Sequence, residues 1–166
     1  MKKPIIVADA GPLIALAKCQ QLPLLSQLFG TVHVPHTVLM EATGGKPKPE
    51  SESIRIFVAG HCRVQPDRDD ALVQHLLRRL DAGESQAISW AHHLGCAVLI
   101  DEKHGRLMAH AQGLPIFGVL GMLLLAKQAG HVKALAPMIN RLREHRYNLS
   151  DALVTAVLQR AGEQLT

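Results

Sequence analysis

Four acidic residues stand at positions where their carboxylates can act together. Asp9 and Asp101 directly follow two short apolar runs, PIIVA and CAVLI, and each run has the pattern of a buried strand. Glu41 and Glu84 lie in the helical segments VPHTVLMEA and LDAGESQAI. Hard cations such as Mg²⁺ and Mn²⁺ take oxygen ligands, and a group of carboxylates without His or Cys suits them. The four acids are therefore predicted to form a cage for a divalent cation.

A cation held in such a cage has a defined chemistry. It lowers the pKa of a bound water, orients that water towards a phosphorus atom and neutralises charge on the phosphoryl oxygens. If the two strands belong to one parallel sheet, Asp9 and Asp101 project from the same edge, where they repel each other unless a cation lies between them. Together the acids favour chemistry at a phosphate group.

Each acid also has a purely structural interpretation. Asp9 can be the N-cap of a helix that begins near Pro12, and Asp101 can cap a helix in the same way. Glu102 follows Asp101 directly and doubles the negative charge at that strand end. Glu41, taken alone, is typical of a solvated helix glutamate.

Glu84 has the strongest competing structural role. Asp81 can act as the N-cap of its helix while Glu84, three residues later, reaches back to the cap, and the pair would form a capping box. The local sequence is compatible with both a helix start and a functional carboxylate, so both interpretations stay open.

The elements that must position these acids alternate along the chain. Strand patterns occur in PIIVA, TVHV, CRVQ, CAVLI and LPIFGV, and helical patterns lie between them. The Gly, Pro and charge-rich segment 44–53 is predicted to be an exposed loop, and helices are predicted over 71–80 and 84–95. Gly95 is a predicted C-cap and Ser150 a predicted N-cap.

Apolar strands alternating with helices predict an α/β fold with a parallel sheet that is covered on both faces. Ligands of such sheets gather outside the carboxyl ends of the strands, near the point where the strand order reverses. The chain has 166 residues, which is the length of one domain, and we expect a single domain over 1–166. Aromatic residues make up only 3%, so the core must be aliphatic.

Composition limits the environment and the partners. Three widely spaced cysteines, Cys19, Cys62 and Cys96, indicate buried apolar residues in a reducing compartment. The N-terminus is a poor signal peptide, and the longest apolar stretch, LPIFGVLGMLLLA, is shorter than the roughly 20 residues of a membrane span. We therefore expect a cytoplasmic protein that does not enter membranes. The net charge of +4 suits an anionic partner.

The sequence resembles the PIN-domain ribonucleases, and within them a VapC-like toxin branch of bacterial and archaeal proteins. The matching stretches occur in the family's order and cover most of the chain except residues 44–79. They are VADAGPLIALAKC, VHVPHTVLMEA, LDAGESQAISWAHHLG, VLIDEKHGRLMAHAQGLPIFGVLGMLLLAKQAG and NLSDALVTAVLQRAGE. Each motif is modest alone, but five in this order form a fairly specific match.

The resemblance implies a PIN-like three-layer sandwich with a short central parallel sheet of four to five strands. It also implies an acidic active site that binds Mg²⁺ or Mn²⁺ and cleaves RNA. By position, the catalytic and metal-binding acids would be Asp9, Glu41, Glu84 and Asp101. Glu102 falls where close relatives usually have a second Asp, so it is a further candidate ligand.

The same resemblance implies a metal-dependent endoribonuclease that hydrolyses phosphodiester bonds without a nucleophilic side chain. Such a protein would be the toxin of a toxin-antitoxin pair, would dimerise with itself and would be silenced by an antitoxin protein. Gly11 departs from the family, because many PIN proteins have Ser, Thr or Asn two residues after the first Asp. Ser85 and His104 are interpreted as surface or supporting residues.

Basic residues near the acids are candidates for contacts with RNA phosphate. Lys103 and Arg106 lie within one helical turn of the strand-end acids, where they could bind substrate or balance the acidic charge. Five arginines elsewhere could extend a basic track, although charged helix faces are usually just solvated: Arg78, Arg79, Arg141, Arg143 and Arg146. With so few aromatics, recognition is expected to depend on the RNA backbone and RNA shape.

Two other classes of protein compete with the nuclease interpretation. The first is a catalytically weak PIN-like module that acts through protein partners, for which the apolar faces of LIALAKC and LPLLSQLF are candidate surfaces. The second is a phospho-acceptor receiver domain. Receivers need an acidic pair after the first strand and a lysine after a late strand, and this sequence has only Asp9 at the first place and no lysine in LPIFGVLG.

Overall fold

The computed structural model describes residues 2–164, and its centre is a parallel sheet of five strands in the order β3-β2-β1-β4-β5. Each of the four neighbouring strand pairs is parallel. The strands are β1 Ile5–Ala8, β2 Thr31–Pro35, β3 Cys62–Gln65, β4 Ala97–Leu99 and β5 Ile116–Phe117. The predicted α/β class with a short parallel sheet is confirmed.

Helices connect the strands and flank the sheet. They are α1 Ala10–Lys18, α2 Pro23–Leu28, α3 His36–Thr43, α4 Pro49–His61, α5 Ala71–Leu76, α6 Ala82–Leu94, α7 Lys103–Ala111, α8 Val119–Gln128, α9 Ala136–Glu144 and α10 Asp151–Arg160. Within residues 2–164, no helix combines the length and the apolar character needed to cross a membrane.

The two central strands form the middle of an aliphatic core. In β1, Ile6 and Val7 are fully buried, and so are Val98 and Leu99 in β4. A strand that is covered on both faces has a continuous apolar sequence rather than an alternating one. The edge strand β3 lacks this burial, since its Val64 is exposed. This difference explains why PIIVA and CAVLI are the clearest strand signals in the sequence.

Several predicted caps are present, and two predicted boundaries are wrong. Gly95 ends α6 in the left-handed conformation with φ 64°, and the Ser150 side chain caps α10 by accepting a hydrogen bond from Leu153 N. The segment predicted as a loop over 44–53 is shorter, because α4 already begins at Pro49. Proline at the first turn and two glutamates beside it favour a helix start there.

The second wrong boundary is the end of α5. The helix was expected to continue to residue 80, but it ends at Leu76 and a turn follows. The turn brings Leu80 into the core and leaves Asp81 in the extended conformation that an N-cap requires. The start of α6 therefore limits the length of α5.

The strand order fixes where a ligand can bind. From β1 the chain builds β2 and β3 on one side, whereas β4 and β5 lie on the other. The order reverses between β1 and β4, and the loops after these two strands flank the crevice that such a reversal opens. Receiver domains have the order 2-1-3-4-5, so the receiver interpretation is wrong.

Candidate active site

All five acids singled out from the sequence line one cavity of about 510 Å³ at the carboxyl ends of β1 and β4. We call this the acid cavity. It also contains Asp81, a sixth acid. Its complete lining is Asp9, Ala10, Gly11, Pro12, Glu41, Asp81, Glu84, Asp101, Glu102, Lys103, Tyr147 and Asn148. The fold thus brings together acids from four separate segments, while the role of each remains a prediction.

Asp9 has the least structural reason to be an acid. It occupies the N-cap position of α1, yet among residues 2–164 its side chain makes no capping hydrogen bond. Its residue is only 6% exposed. Burial raises the pKa of Asp9 to about 7, the Ala10 amide partly offsets this, and the nearby charges of Glu84, Asp81 and Glu41 raise it further.

Glu84 does close the predicted capping box. Its backbone N donates to Asp81 Oδ1 at 2.8 Å, and its Oε2 accepts from Asp81 N at 3.3 Å. The side chain is nevertheless buried in the acid cavity, and burial followed by the charge of Asp81 raises the pKa of Glu84 to about 7. Glu84 thus makes a capping hydrogen bond although burial makes its negative charge unfavourable.

Glu41 is an exposed residue, and its carboxylate also contacts the start of α6. Its Oε1 accepts from Gly83 N at 3.0 Å across 42 positions of sequence. A Cβ at residue 83 would overlap Glu41 Oε2 and lie 2.7 Å from its Cδ, so only glycine leaves room for the carboxylate. Burial, followed by the charge of Asp81, raises the pKa of Glu41 above its ordinary value. Glu41 is therefore exposed, as the solvated-glutamate interpretation expects, but it also has a specific contact with α6 that this interpretation does not include.

Asp101 is oriented by two hydrogen bonds to one of its oxygens. Its Oδ2 accepts from Val119 N at 3.0 Å and from the hydroxyl of Tyr147. The other oxygen, Oδ1, lies 3.9 Å from Arg106 Nη1. Gly118 permits this packing, because a Cβ there would overlap Asp101 Oδ1 and lie 2.9 Å from the same Arg106 nitrogen. Asp101 thus contacts the start of α8, whereas the cap of α7 is Glu102.

Glu102 caps α7 by accepting a hydrogen bond from Gly105 N at 2.7 Å. Burial favours a higher pKa, but the amides of Gly105 and His104 and the charge of His104 outweigh it and hold the pKa of Glu102 below its ordinary value. Its carboxylate is satisfied without a cation, although the residue lines the acid cavity.

The two basic candidates differ in their surroundings. Arg106 donates from Nη1 to Ile100 O at 3.0 Å beside Asp101, which supports the charge-balancing role. Lys103 is exposed and lines the acid cavity, where it can meet a ligand. Of the supporting residues, His104 is exposed as expected. Ser85 is fully buried, and within residues 2–164 its hydroxyl has no hydrogen-bond partner, so the surface interpretation is wrong for Ser85.

Sequence reasoning did not find three residues that shape the acid cavity. Tyr147 is the single tyrosine of the chain, and burial followed by the charge of Asp101 raises its pKa above its ordinary value. Gly83 and Gly118 act only by leaving space for carboxylates from distant segments. That Tyr147 is the single tyrosine could have drawn attention to it, whereas nothing in the sequence around Gly83 or Gly118 indicates their contacts.

The donor chemistry of the acid cavity fits a hard divalent cation, because its acids offer only oxygen. In the part of the chain that the structure describes, however, no three Asp, Glu, His or Cys side chains are grouped so that they could hold an ion. Backbone amides explain this spacing, since they hold Glu41 and Glu84 at the start of α6 and Asp101 at the start of α8. A shared ligand set requires side-chain rotation.

The chain belongs to a PIN-domain family: the family model DUF3368, described as a PIN domain, matches residues 5–163. PIN domains are generally nucleases, so the class of protein is a hydrolase that acts on nucleic acid. The chain is similar in structure to PAE2754 from Pyrobaculum aerophilum, with a TM-score of 0.55 and 17% identity over 76% of this chain and 96% of that one. That similarity shows the PIN-like fold. No curated protein matches the sequence.

The raised pKa values predict how stability varies with pH when metal is chelated. Asp9 and Glu84 titrate near pH 7 in the folded state and near 4 when unfolded, so the folded protein binds more protons between these values. The free energy of unfolding should fall as pH rises from about 4 to about 7 and then level off, with Asp9 contributing on the order of 4 kcal/mol. Urea unfolding in EDTA at several pH values measures this.

The variant Asp9→Asn isolates the contribution of Asp9, since the amide keeps the shape of the side chain and removes its charge. Its stability should depend less on pH than that of the wild type in this window. Equal pH dependence for the two proteins would show that the Asp9 carboxylate is not destabilised by burial.

Proposed function

We propose that this PIN-domain protein is a metal-dependent endoribonuclease that hydrolyses RNA phosphodiester bonds at the acid cavity. The observation that carries the proposal is the buried carboxylate of Asp9, which makes no capping hydrogen bond at α1 and faces a cavity shared with five other acids. A buried charge of this kind is usually paired or bound to a metal. The acids proposed as ligands are Asp9, Glu41, Glu84 and Asp101, with Glu102 retained at α7 as its cap.

When bound, Mg²⁺ or Mn²⁺ would activate water and offset charge on the phosphoryl oxygens. The chain's own residues supply the setting. Asp9 and Glu84 lose their protons near neutral pH, which makes both carboxylates available as ligands. Asp101 is held through Oδ2 by Val119 and Tyr147, and this leaves Oδ1 for a ligand beside Arg106.

Charge distribution supports a polyanionic substrate. The acid cavity contains six of the fourteen acids and one lysine, so the rest of the chain has seventeen Lys and Arg against eight acids. A basic exterior around an acidic centre attracts nucleic acid and confines repulsion to the place where a cation would bind. The choice of RNA over DNA rests on the resemblance to PIN-domain ribonucleases.

The same resemblance extends the proposal to a toxin of a toxin-antitoxin pair that forms a homodimer and is silenced by an antitoxin. The alternative of a weakly catalytic binding module has little support from its candidate surface. The apolar side chains of LIALAKC and LPLLSQLF are largely buried, among them Leu13, Leu16, Leu25 and Leu28. They pack in the core and leave few apolar groups to contact a partner.

Cleavage of a labelled single-stranded RNA tests the proposal. The wild type should cleave it with Mg²⁺ or Mn²⁺ and not in EDTA, and Asp9→Asn and Glu84→Gln should each reduce the rate by at least about 10- to 100-fold. Glu52→Gln is the matched control, because Glu52 is an exposed acid on α4 that pairs with Arg55 and does not line the acid cavity in the described part of the chain. A DNA of the same sequence distinguishes the two nucleic acids.

The Glu52→Gln variant should match the wild type in rate and in melting temperature. Undiminished cleavage by Asp9→Asn would exclude the metal cage, and cleavage in EDTA would exclude metal dependence altogether. Loss of activity in Glu84→Gln with an unchanged melting temperature would separate the catalytic role of Glu84 from its capping role.

A second prediction concerns Gly83. Alanine at this position favours the helix by up to about 1 kcal/mol but forces the Glu41 carboxylate out of its place on the Gly83 amide. Gly83→Ala should therefore keep or raise the melting temperature while it lowers the RNA cleavage rate.

Gly60→Ala is the control for Gly83→Ala. Gly60 also lies in a helix, α4, and a Cβ there meets no described atom within 4 Å, so this variant should cleave RNA like the wild type. If Gly83→Ala also cleaves at the wild-type rate, the position of Glu41 does not matter for the reaction.

A further inference from the structure

A second pocket of about 210 Å³ adjoins the acid cavity, and we call it the basic pocket. Its charged side chains are Lys18 from α1 and Arg146 from the end of α9, with His145 beside them. No carboxylate lines it. The remaining lining residues are Gly11, Ile14, Ala15, Leu142 and Tyr147. The sign of its charge is thus opposite to that of the neighbouring cavity.

The two pockets meet at Gly11 and Tyr147, which line both of them. A Cβ at Gly11 would have no described atom within 4 Å, so residue 11 borders open space. Gly11 is also absent from the glycines with positive φ, and glycine within a helix costs stability relative to alanine. The backbone therefore does not require glycine here, and the missing side chain leaves open space where the two pockets meet.

The turn at the end of α9 positions Arg146 in the basic pocket and Tyr147 in the acid cavity. Arg146 has φ 61°, a left-handed conformation that is unfavourable for any residue with a Cβ, and the chain turns there with Tyr147 N donating to Leu142 O at 3.0 Å. After this turn Tyr147 reaches Asp101 in the acid cavity. Arg146 itself lines the basic pocket. One strained turn thus serves both pockets.

The basic side chains are available to a ligand. Within residues 2–164 neither Lys18 nor Arg146 takes part in an ion pair, whereas Arg143 on the same helix binds Asp151 at 2.7 Å. Glu144 is the acid closest to them along α9, and it does not line the basic pocket. Of the five arginines considered as a basic track, Arg146 is the one that lines a pocket next to the acids.

We propose that the basic pocket is a phosphate subsite, which binds a backbone phosphate of the nucleic-acid strand next to the bond in the acid cavity. The proposal rests on the proposed nuclease function. Six carboxylates repel a polyanion, and cationic groups immediately beside them hold the strand in place through charge-assisted hydrogen bonds to phosphate. Gly11 keeps the route between the two pockets open for the strand.

Equilibrium binding tests the subsite separately from cleavage. Fluorescence anisotropy measures the Kd of a labelled single-stranded RNA at several salt concentrations, with Ca²⁺ in place of Mg²⁺. Lys18→Gln and Arg146→Gln should each weaken binding by about fivefold, and each should reduce the slope of log K against log salt by about 0.7. Arg146→Lys keeps the charge and should stay close to the wild type.

Two further variants make the test specific to this pocket. Lys3→Gln is the matched control, because Lys3 is an exposed lysine at the amino end of β1, opposite the acids, and its Kd and slope should not change. Gly11→Leu should fill the passage, so that RNA binding weakens while the melting temperature stays the same or rises. A purely structural role for residue 11 would move both quantities in the same direction.

The outcomes separate the subsite from the nuclease function. If the wild type binds and cleaves RNA but Lys18→Gln and Arg146→Gln keep its Kd and salt slope, the subsite is refuted and the nuclease function stands. An equal loss in Lys3→Gln would also refute it, since the effect would then be general electrostatics. If the wild type neither binds nor cleaves RNA, both proposals fail together.

Discussion

The crowding of carboxylates at one end of the sheet is the constraint on which the rest of the site depends. Asp9 ends the central strand β1, so its side chain is buried wherever the fold is intact. Three further segments contribute the other acids, and burial followed by the like charges raises the pKa values of Asp9 and Glu84. The protein must therefore hold these charges in position by contacts that do not depend on cations alone.

Unpaired amides at the starts of helices provide those contacts. The first turn of α6 binds Glu41 through Gly83 and Glu84 through Asp81, and the first turn of α8 binds Asp101 through Val119. Such amides favour anions, because they are unsatisfied within the helix and lie at its positive end. Asp9 is held least firmly, since its side chain makes no capping hydrogen bond with α1 and the nearby Ala10 amide offsets only part of the rise in its pKa. In the proposed function Asp9 would be the first ligand for a cation, Glu41 and Glu84 would leave their amides to join it, and Asp101 would offer its Oδ1.

Glu84 was open to two interpretations, as a helix-capping residue and as a functional carboxylate. The capping box is present, so the helix start does fix the residue. The same contact holds a charge in a buried place where its pKa is raised, and a cation would relieve that cost. In the proposed function, capping and metal binding would be alternative states of this side chain. A cap hydrogen bond is typically worth about 1 kcal/mol, which a cation can readily exceed.

The sequence was informative where a local pattern has one physical cause. Buried central strands gave continuous apolar runs, and Asp81 with Glu84 and the glycine at 95 marked both ends of α6. The end of α5, the start of α4 and the roles of Gly83, Gly118 and Tyr147 depend on contacts between distant segments. The pattern of residues in a short stretch of sequence does not predict contacts between distant segments. The family resemblance indicated which acids act together. The strand order explains why Asp9 and Asp101 lie close, because β1 and β4 are neighbours at the point where the order reverses.

A crystal structure of the protein with Mn²⁺ would show whether the acid cavity binds a cation, because anomalous scattering locates the ion without reference to activity. We expect an ion in contact with both Asp9 and Asp101, with the Glu84 carboxylate turned away from the amide of Asp81. An ion elsewhere, or no ion in contact with Asp9 and Asp101 together, would contradict this expectation.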